Sequence, residues 1–219
     1  MSMSRQPARS PSAEGALAIL EAAESLFAEK GFDGASINDI AHRAGVSKAN
    51  IFHHFTSKKG LYLAVLKRAV AHSAGILAKG PPPADPAQSD RRLKQFFSEH
   101  LDALLEQPET TRLILREVLE NGSESGQSLA EGIFADYFTR LVGWVRMGQE
   151  AGWLRGGFDP ALLAFTLIAV NVHFFQALPI LQHLPGAGFA FDSKTFSEQI
   201  FGLLMDGAGA SSNVWEEEA

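Results

Sequence analysis

The tightest constraint on this chain is the stretch Ser36-Ile-Asn-Asp-Ile-Ala-His-Arg-Ala-Gly-Val-Ser-Lys-Ala-Asn-Ile-Phe-His-His-Phe55. It holds two short helical patterns with one glycine between them. Ser36 stands where an N-cap is needed, and Asp39 follows at the third helical position, close to a capping box. Ile40, Ala41 and Ala44 then share one face, and Gly45 stops the helix. Glycine accepts the left-handed backbone that a tight exit from a helix requires. Val46 fills the turn, and Ser47 caps a second short helix in which Ile51 and Phe55 are the side to be buried. Two short helices crossing steeply about a tight turn form a helix-turn-helix, whose second helix must keep its outer side and N-terminus free for a DNA groove.

Charge supports that reading once its distribution is considered. The chain of 219 residues carries a net charge of -6, which by itself argues against a nucleic-acid partner. Residues 1–80 nevertheless carry +4 and residues 81–219 carry -10. From Ile40 to Gly80 there is no acid, whereas Arg43, Lys48, Lys58, Lys59, Lys67, Arg68 and Lys79 all fall there. A basic head on an acidic body is what phosphate contact by one domain needs.

The rest of the chain divides accordingly. Residues 1–12, with Arg5, Arg9, two prolines and several serines, read as a flexible arm. A first helix runs from about Ala13, with Leu17, Leu20, Ala23, Leu26 and Phe27 inward, to Lys30-Gly31, where a left-handed cap is expected and Phe32 can fold back. A fourth helix, capped by Ser57, spans Lys58 to about Lys79. Gly80-Pro-Pro-Pro-Ala-Asp-Pro86 reads as the linker. Beyond it the spacing predicts helices over about Asp90–Glu106, Glu109–Glu120 (stopped at Asn121-Gly122), Ser128–Ala151, Asp159-Pro160 to Pro179, and Ser193–Met205. No strand-like alternation and no internal repeat is visible. The expected fold is all-α with about nine helices: a head over 13–80 comprising a three-helix DNA-binding domain and a connecting helix, and a helical body over 81–219.

Several function classes drop out. The absence of cysteine removes disulfides, thiolate metal sites and cysteine nucleophiles. No phosphate loop, paired-carboxylate motif or nucleophile elbow is present, so no enzyme and no cofactor is expected. His53 and His54 are adjacent on a helix and point about 100° apart, which disfavours a shared metal. Apolar runs short of the roughly 18 residues of a membrane span, and an N-terminus without a secretory h-region, make the cytoplasm the expected compartment.

The run Asp39 to Leu61 resembles the signature of the TetR family in nearly every register, as does the preceding Ala22-Ala-Glu-Ser-Leu-Phe-Ala-Glu-Lys-Gly-Phe32; the resemblance covers about residues 14–70. It departs in the second helix, where Phe52-His53-His54 stands in place of a tyrosine-led triplet, and Phe52 has no hydroxyl for a phosphate. The resemblance implies a homodimer with its heads in successive major grooves of a palindromic operator on double-stranded DNA, and repression as the default sign. By chemistry, Lys48 and Asn50 are candidates for base edges, since lysine can pair with guanine and asparagine bidentately with adenine. Ser36, Asn38, Ser47, His53, His54, Thr56 and Lys58 are candidates for phosphate or groove-edge contact; Arg43, Ala49 and Phe52 complete the expected DNA-binding set.

In the body, Ala161–Leu178 is apolar almost all the way round and must be covered on both sides. Phe165 and Val172 from it, with Phe196, Ile200, Phe201 and Leu204 from the last helix, are the expected dimer interface. Aromatic residues with a few inward polar groups suggest a small-molecule effector pocket of Phe97, His100, Arg116, Phe134, Tyr137, Phe138, Asn171, His173, Phe174 and Phe175. The effector's identity does not follow from these residues. The competing reading is an architectural DNA-binding protein with no effector.

Overall fold

In the computed structural model, residues 11–78, 80 and 85–208 are described. The expectations for Arg5, Arg9, Lys79, the prolines at 81–83 and the C-terminal tail lie outside them. Among the described residues there are nine α-helices and no strand: α1 Pro11–Gly34, α2 Ile37–Ala44, α3 Lys48–His54, α4 Lys58–Ala78, α5 Pro86–Glu106, α6 Pro108–Leu129, α7 Ala135–Glu150, α8 Pro160–Leu181 and α9 Ser193–Ala208. A π turn, Ala130–Phe134, lies between α6 and α7, and a 3-10 turn, Gly188–Phe191, precedes α9.

The contacts group the chain into two compact units whose borders fall inside helices. The first, the head, contains residues up to Ala69 together with Glu109–Gly126. The second, the body, contains Val70–Pro108 and everything from Gln127 onward. The linker at residues 80–86 therefore marks a change of composition, while the contacts change partner elsewhere.

In the head, Ile19, Ala23, Leu26 and Phe27 of α1 are buried with Ile40 and Ala41 of α2 and Ile51 of α3. Gly31 breaks α1 with φ 73 and ψ 177. The expectation was a left-handed cap; the observed ψ puts the residue instead in a region open almost only to glycine, and helical backbone resumes to Gly34. Phe32 does fold back, stacking on Phe27 at 6.1 Å, while Tyr62 meets Phe27 edge-on at 4.9 Å. The α6 portion of this unit is tied in by polar contacts. Tyr62 Oη donates to Glu117 at 2.8 Å, Asn121 Nδ2 donates to the same carboxylate at 2.9 Å, and the Thr110 hydroxyl donates to Glu24.

Three boundaries differ from expectation. Helix α5 begins at Pro86, where a proline in the first turn forfeits no helical hydrogen bond. Helix α6 continues through Asn121-Gly122. A helical glycine costs only about 1 kcal/mol relative to alanine, and the Asn121 side chain reaches back one turn to Glu117 rather than capping a turn of its own. Pro179 lies inside α8 because it falls in the last turn, where a missing N–H leaves only one carbonyl without its helical donor.

The body is packed from Leu93, Phe96, Phe97 and Leu101 of α5, Leu141, Trp144 and Val145 of α7, Ala164, Leu167 and Phe174 of α8, and Phe201 of α9. Asp159 caps α8 by accepting from Ala161 N at 2.7 Å. At 22 residues, α8 is long and apolar enough to cross a membrane by length and composition alone, although no uninterrupted apolar run within it reaches about 18 residues. Thr166, Asn171, His173 and Gln176 interrupt it, and only 33% of its apolar window is buried within the body.

Candidate nucleic-acid interface

The turn between α2 and α3 is set by hydrogen bonds that the sequence makes available. Gly45 adopts φ 66 and ψ 28, its N–H meets the His42 carbonyl, and Val46 N–H reaches back to the Ala41 carbonyl at 3.0 Å. That pair is a Schellman closure, which satisfies the last carbonyls of α2 while turning the chain. Ser36 Oγ accepts from Asp39 N and Ser47 Oγ accepts from Asn50 N, each at 3.1 Å. Both serines are thus N-caps. The Asp39 carboxyl is held below its usual range by its hydrogen bonds to Ser36 and by Lys30, 3.6 Å away.

Helix α3 presents two unlike sides. Ile51 is fully buried, and Phe55, just past the helix, is half-buried. Lys48, Ala49, Asn50, Phe52 and His53 are exposed, together with Asn38 of α2 and Thr56 beyond α3. Phe52 is 43% exposed, an apolar ring on the outward face that can pack but not donate. His54 is half-buried with its ring edge-on to His53 at 5.1 Å. Among the described residues no cluster of three or more histidines and carboxylates is placed to hold a metal.

Two of the expected contacts are already engaged within the head. Arg43 forms a fork with Glu29, with Nη1 2.7 Å from Oε1 and Nη2 3.1 Å from Oε2, and also donates to Ser25 Oγ at 2.7 Å. The pair holds the Glu29 carboxyl below and the Arg43 guanidinium above its usual value, the mutual hydrogen bond being the main cause. Arg43 therefore ties α2 to α1. Lys58 lies over the Phe32 ring at 4.5 Å and donates to the Asp33 carbonyl at 3.4 Å. The Ser25 and Glu29 partnership was open to sequence reading as an i, i+4 pair on α1; their shared cation is fourteen residues beyond Glu29 and was not.

The body residues expected to form an effector pocket separate on inspection. Phe97, His100, Tyr137, Asn171, Phe174 and Phe175 are buried, and Phe134 and Phe138 are half-buried. His173 is exposed, because a step of two positions from Asn171, about 200° of helical rotation, turns it to the other side of α8. Arg116 belongs to the head, beside Gly31. Neither is part of the interior group. Asn171 Nδ2 donates to the Phe97 carbonyl at 2.8 Å and lies 3.2 Å from His100 Nδ1. The His100 ring stacks against Phe96 at 5.9 Å and Tyr137 at 6.2 Å. Burial pushes the His100 imidazole down to about 4 and raises the Tyr137 hydroxyl above its ordinary value.

Of the expected dimer residues, Phe165 is 59% exposed, and Val172, Ile200 and Leu204 are half-buried. Phe196 and Phe201 are instead core residues. Phe196 stacks on Phe174 with ring centres 3.8 Å apart, and Phe201 lies 5.9 Å from Phe97. Sequence pattern missed Leu162, Ile180 and Leu203, which are large, apolar and exposed.

Comparison with known proteins agrees with this geometry. The family model for bacterial regulatory proteins of the tetR family matches residues 19–65. The HTH-type transcriptional repressor SCO4008 of Streptomyces coelicolor is 31% identical over 163 residues, covering 74% of this chain and 79% of that protein. The HTH-type transcriptional regulator RutR of Escherichia coli K12 is 28% identical over 173 residues, 78% of each chain. Among solved structures, the transcriptional regulator FadR from Bacillus subtilis in complex with stearoyl-CoA superposes with a TM-score of 0.70 at 19% identity, covering 87% of this chain and 98% of that one.

Proposed function

From the premise that the chain belongs to the tetR family of DNA-binding transcriptional regulators, we propose that it is a homodimeric repressor released from a palindromic operator by a small, largely apolar effector. The observation that carries the DNA-binding part is the two-sidedness of α3: Ile51 anchors it, while Lys48, Ala49, Asn50, Phe52 and His53 face outward in a segment free of acids. Lys48 and Asn50 read base edges. Asn38, His53, His54, Thr56 and the N-terminal turns capped by Ser36 and Ser47 meet phosphates. Arg43 acts mainly through Glu29, and Lys58 reaches a phosphate by leaving Phe32.

The dimer reading rests on α8 and α9. Leu162, Phe165 and Ile180 on α8 and Leu203 on α9 leave apolar surface in contact with water, and a second copy covers it at the cost of no charged group on these four positions. The effector reading rests on the interior group around His100. A ligand there favours one body conformation over another and thereby shifts the heads away from operator spacing. Such a regulator works where the chromosome is, in the cytoplasm.

The deciding experiment measures binding to operator and random duplex for the double variant Lys48→Ala, Asn50→Ala. Each base-edge contact is worth about 1–3 kcal/mol of discrimination, so preference for the operator should fall by about 30-fold or more. Undiminished preference would remove the assignment of α3 as the reading helix.

A further inference from the structure

Among the buried polar atoms of the body that have no hydrogen-bond partner among the described residues are the Tyr137 hydroxyl and Asn171 Oδ1. Both side chains are at least nine-tenths buried, and both lie against the same imidazole. The orientation of the Asn171 amide is not ambiguous. Its Nδ2 points at the Phe97 carbonyl, which can only accept, so Oδ1 is the atom left over. The second Nδ2 hydrogen faces His100 Nδ1 at 3.2 Å. That nitrogen must then be an acceptor, which makes the ring neutral with its proton on Nε2. The group therefore offers one unsatisfied acceptor and one unsatisfied hydroxyl among aromatic rings, with no charge. Orphaned buried polar atoms are uncommon in folded proteins and call for a partner.

A second observation points to the same place. The π turn Ala130–Phe134 stands immediately before the α7 segment that carries Tyr137 and contains no buried residue. Single π turns are rare and concentrate at functional sites, and a segment with few buried contacts opens at low cost. The helix that carries the orphaned hydroxyl therefore starts from a segment that opens easily.

We propose that the effector is an uncharged, mainly apolar molecule with a hydroxyl or amide group that accepts a hydrogen bond from Tyr137 and donates one to Asn171 Oδ1. This deepens the ligand-responsive reading given above and rests on it. A carboxylate is disfavoured because it has no hydrogen to give Asn171 and no cation to meet in this group. A plain hydrocarbon is disfavoured because it leaves both atoms unsatisfied.

The test uses the full chain and three matched probes: 4-propylphenol, propylbenzene and 4-propylbenzoate. Titrations followed by calorimetry and by thermal unfolding should show the phenol binding and raising Tm, propylbenzene binding about tenfold more weakly, and the benzoate not binding. Tyr137→Phe should lower phenol affinity to the propylbenzene level while leaving the probe-free Tm unchanged or higher. The inference is overturned if the benzoate binds as well as the phenol, if no probe binds, or if Tyr137→Phe lowers the probe-free Tm by several degrees or prevents folding. That last result would mean that water already satisfies the hydroxyl. Operator binding measured in parallel keeps the two ideas apart. Phenol binding without DNA release upholds the chemical class and sinks the effector reading, whereas DNA release by the benzoate does the opposite.

Discussion

Head and body place their working side chains in opposite environments. Helix α3, proposed above to read DNA, has its candidate contacts in water and one buried anchor, Ile51. The polar group of the body is sealed: His100, Tyr137 and Asn171 are all buried, and two of them carry unsatisfied atoms. In water an unmade hydrogen bond costs almost nothing, so exposed residues can wait for DNA without loss of stability. In the interior the same vacancy costs about 1–3 kcal/mol, so polar groups there must be matched by something. A surface reads many phosphates weakly, whereas a buried group discriminates a few atoms strongly.

This contrast can be broken in order of expected size. Ile51→Ala should destabilise the head by about 2–5 kcal/mol and weaken binding to every duplex alike, while Asn50→Ala, one position away, should leave thermal stability unchanged; denaturant titration compares them. If the two variants unfold alike, α3 does not have two functionally distinct sides. His100 supplies the corresponding probe of the body. Its folded value of about 4 lies below the unfolded 6.5, so between those values the unfolded chain binds the extra proton. Stability should then fall as pH drops from about 6.5 toward 4, by up to about 3 kcal/mol. His100→Gln, which keeps an acceptor for Asn171 but cannot titrate, should flatten that part of the profile, and an unchanged profile would place His100 in contact with water.

Smaller effects test the turn. Gly45→Ala has open space for its methyl group but must hold a positive φ, which should cost about 1–2 kcal/mol and lower operator affinity in proportion. Ser47→Ala removes one cap and should cost about 1 kcal/mol. Equal losses from the two would mean that the turn contributes no more than an ordinary helix start.

The same contrast explains what could be read in advance. The head's geometry is encoded within one short stretch, where Ser36, Gly45 and Ser47 each act on neighbours a few residues away, so its turn and caps follow from residue types. The body's group joins residues 71 and 74 positions apart in the chain, His100 and Phe97 to Asn171. Helical spacing placed Asn171 inward correctly but assigned His173 to the same side, since α8 is apolar nearly all round and gives no polar face to orient it. Arg116 was grouped by composition with aromatics that belong to the other unit. Phe196 and Phe201 looked like interface because a helix pattern cannot tell an intramolecular apolar neighbour from an intermolecular one. The run past Asn121-Gly122 and the π turn were illegible for a related reason: turn-prone residues raise the cost of helix by too little to end one that packing supports.

The grouping of Glu109–Gly126 with the head bears on any attempt to transplant it. A reading module cut after α4 would carry Tyr62 and Glu24 without Glu117 and Thr110, their partners on α6, and would expose a surface that the native chain covers. A graft meant to move the proposed operator preference onto another regulator therefore needs two separate pieces of the chain. The prolines at 81–83, which look like the natural place to cut, are not sufficient.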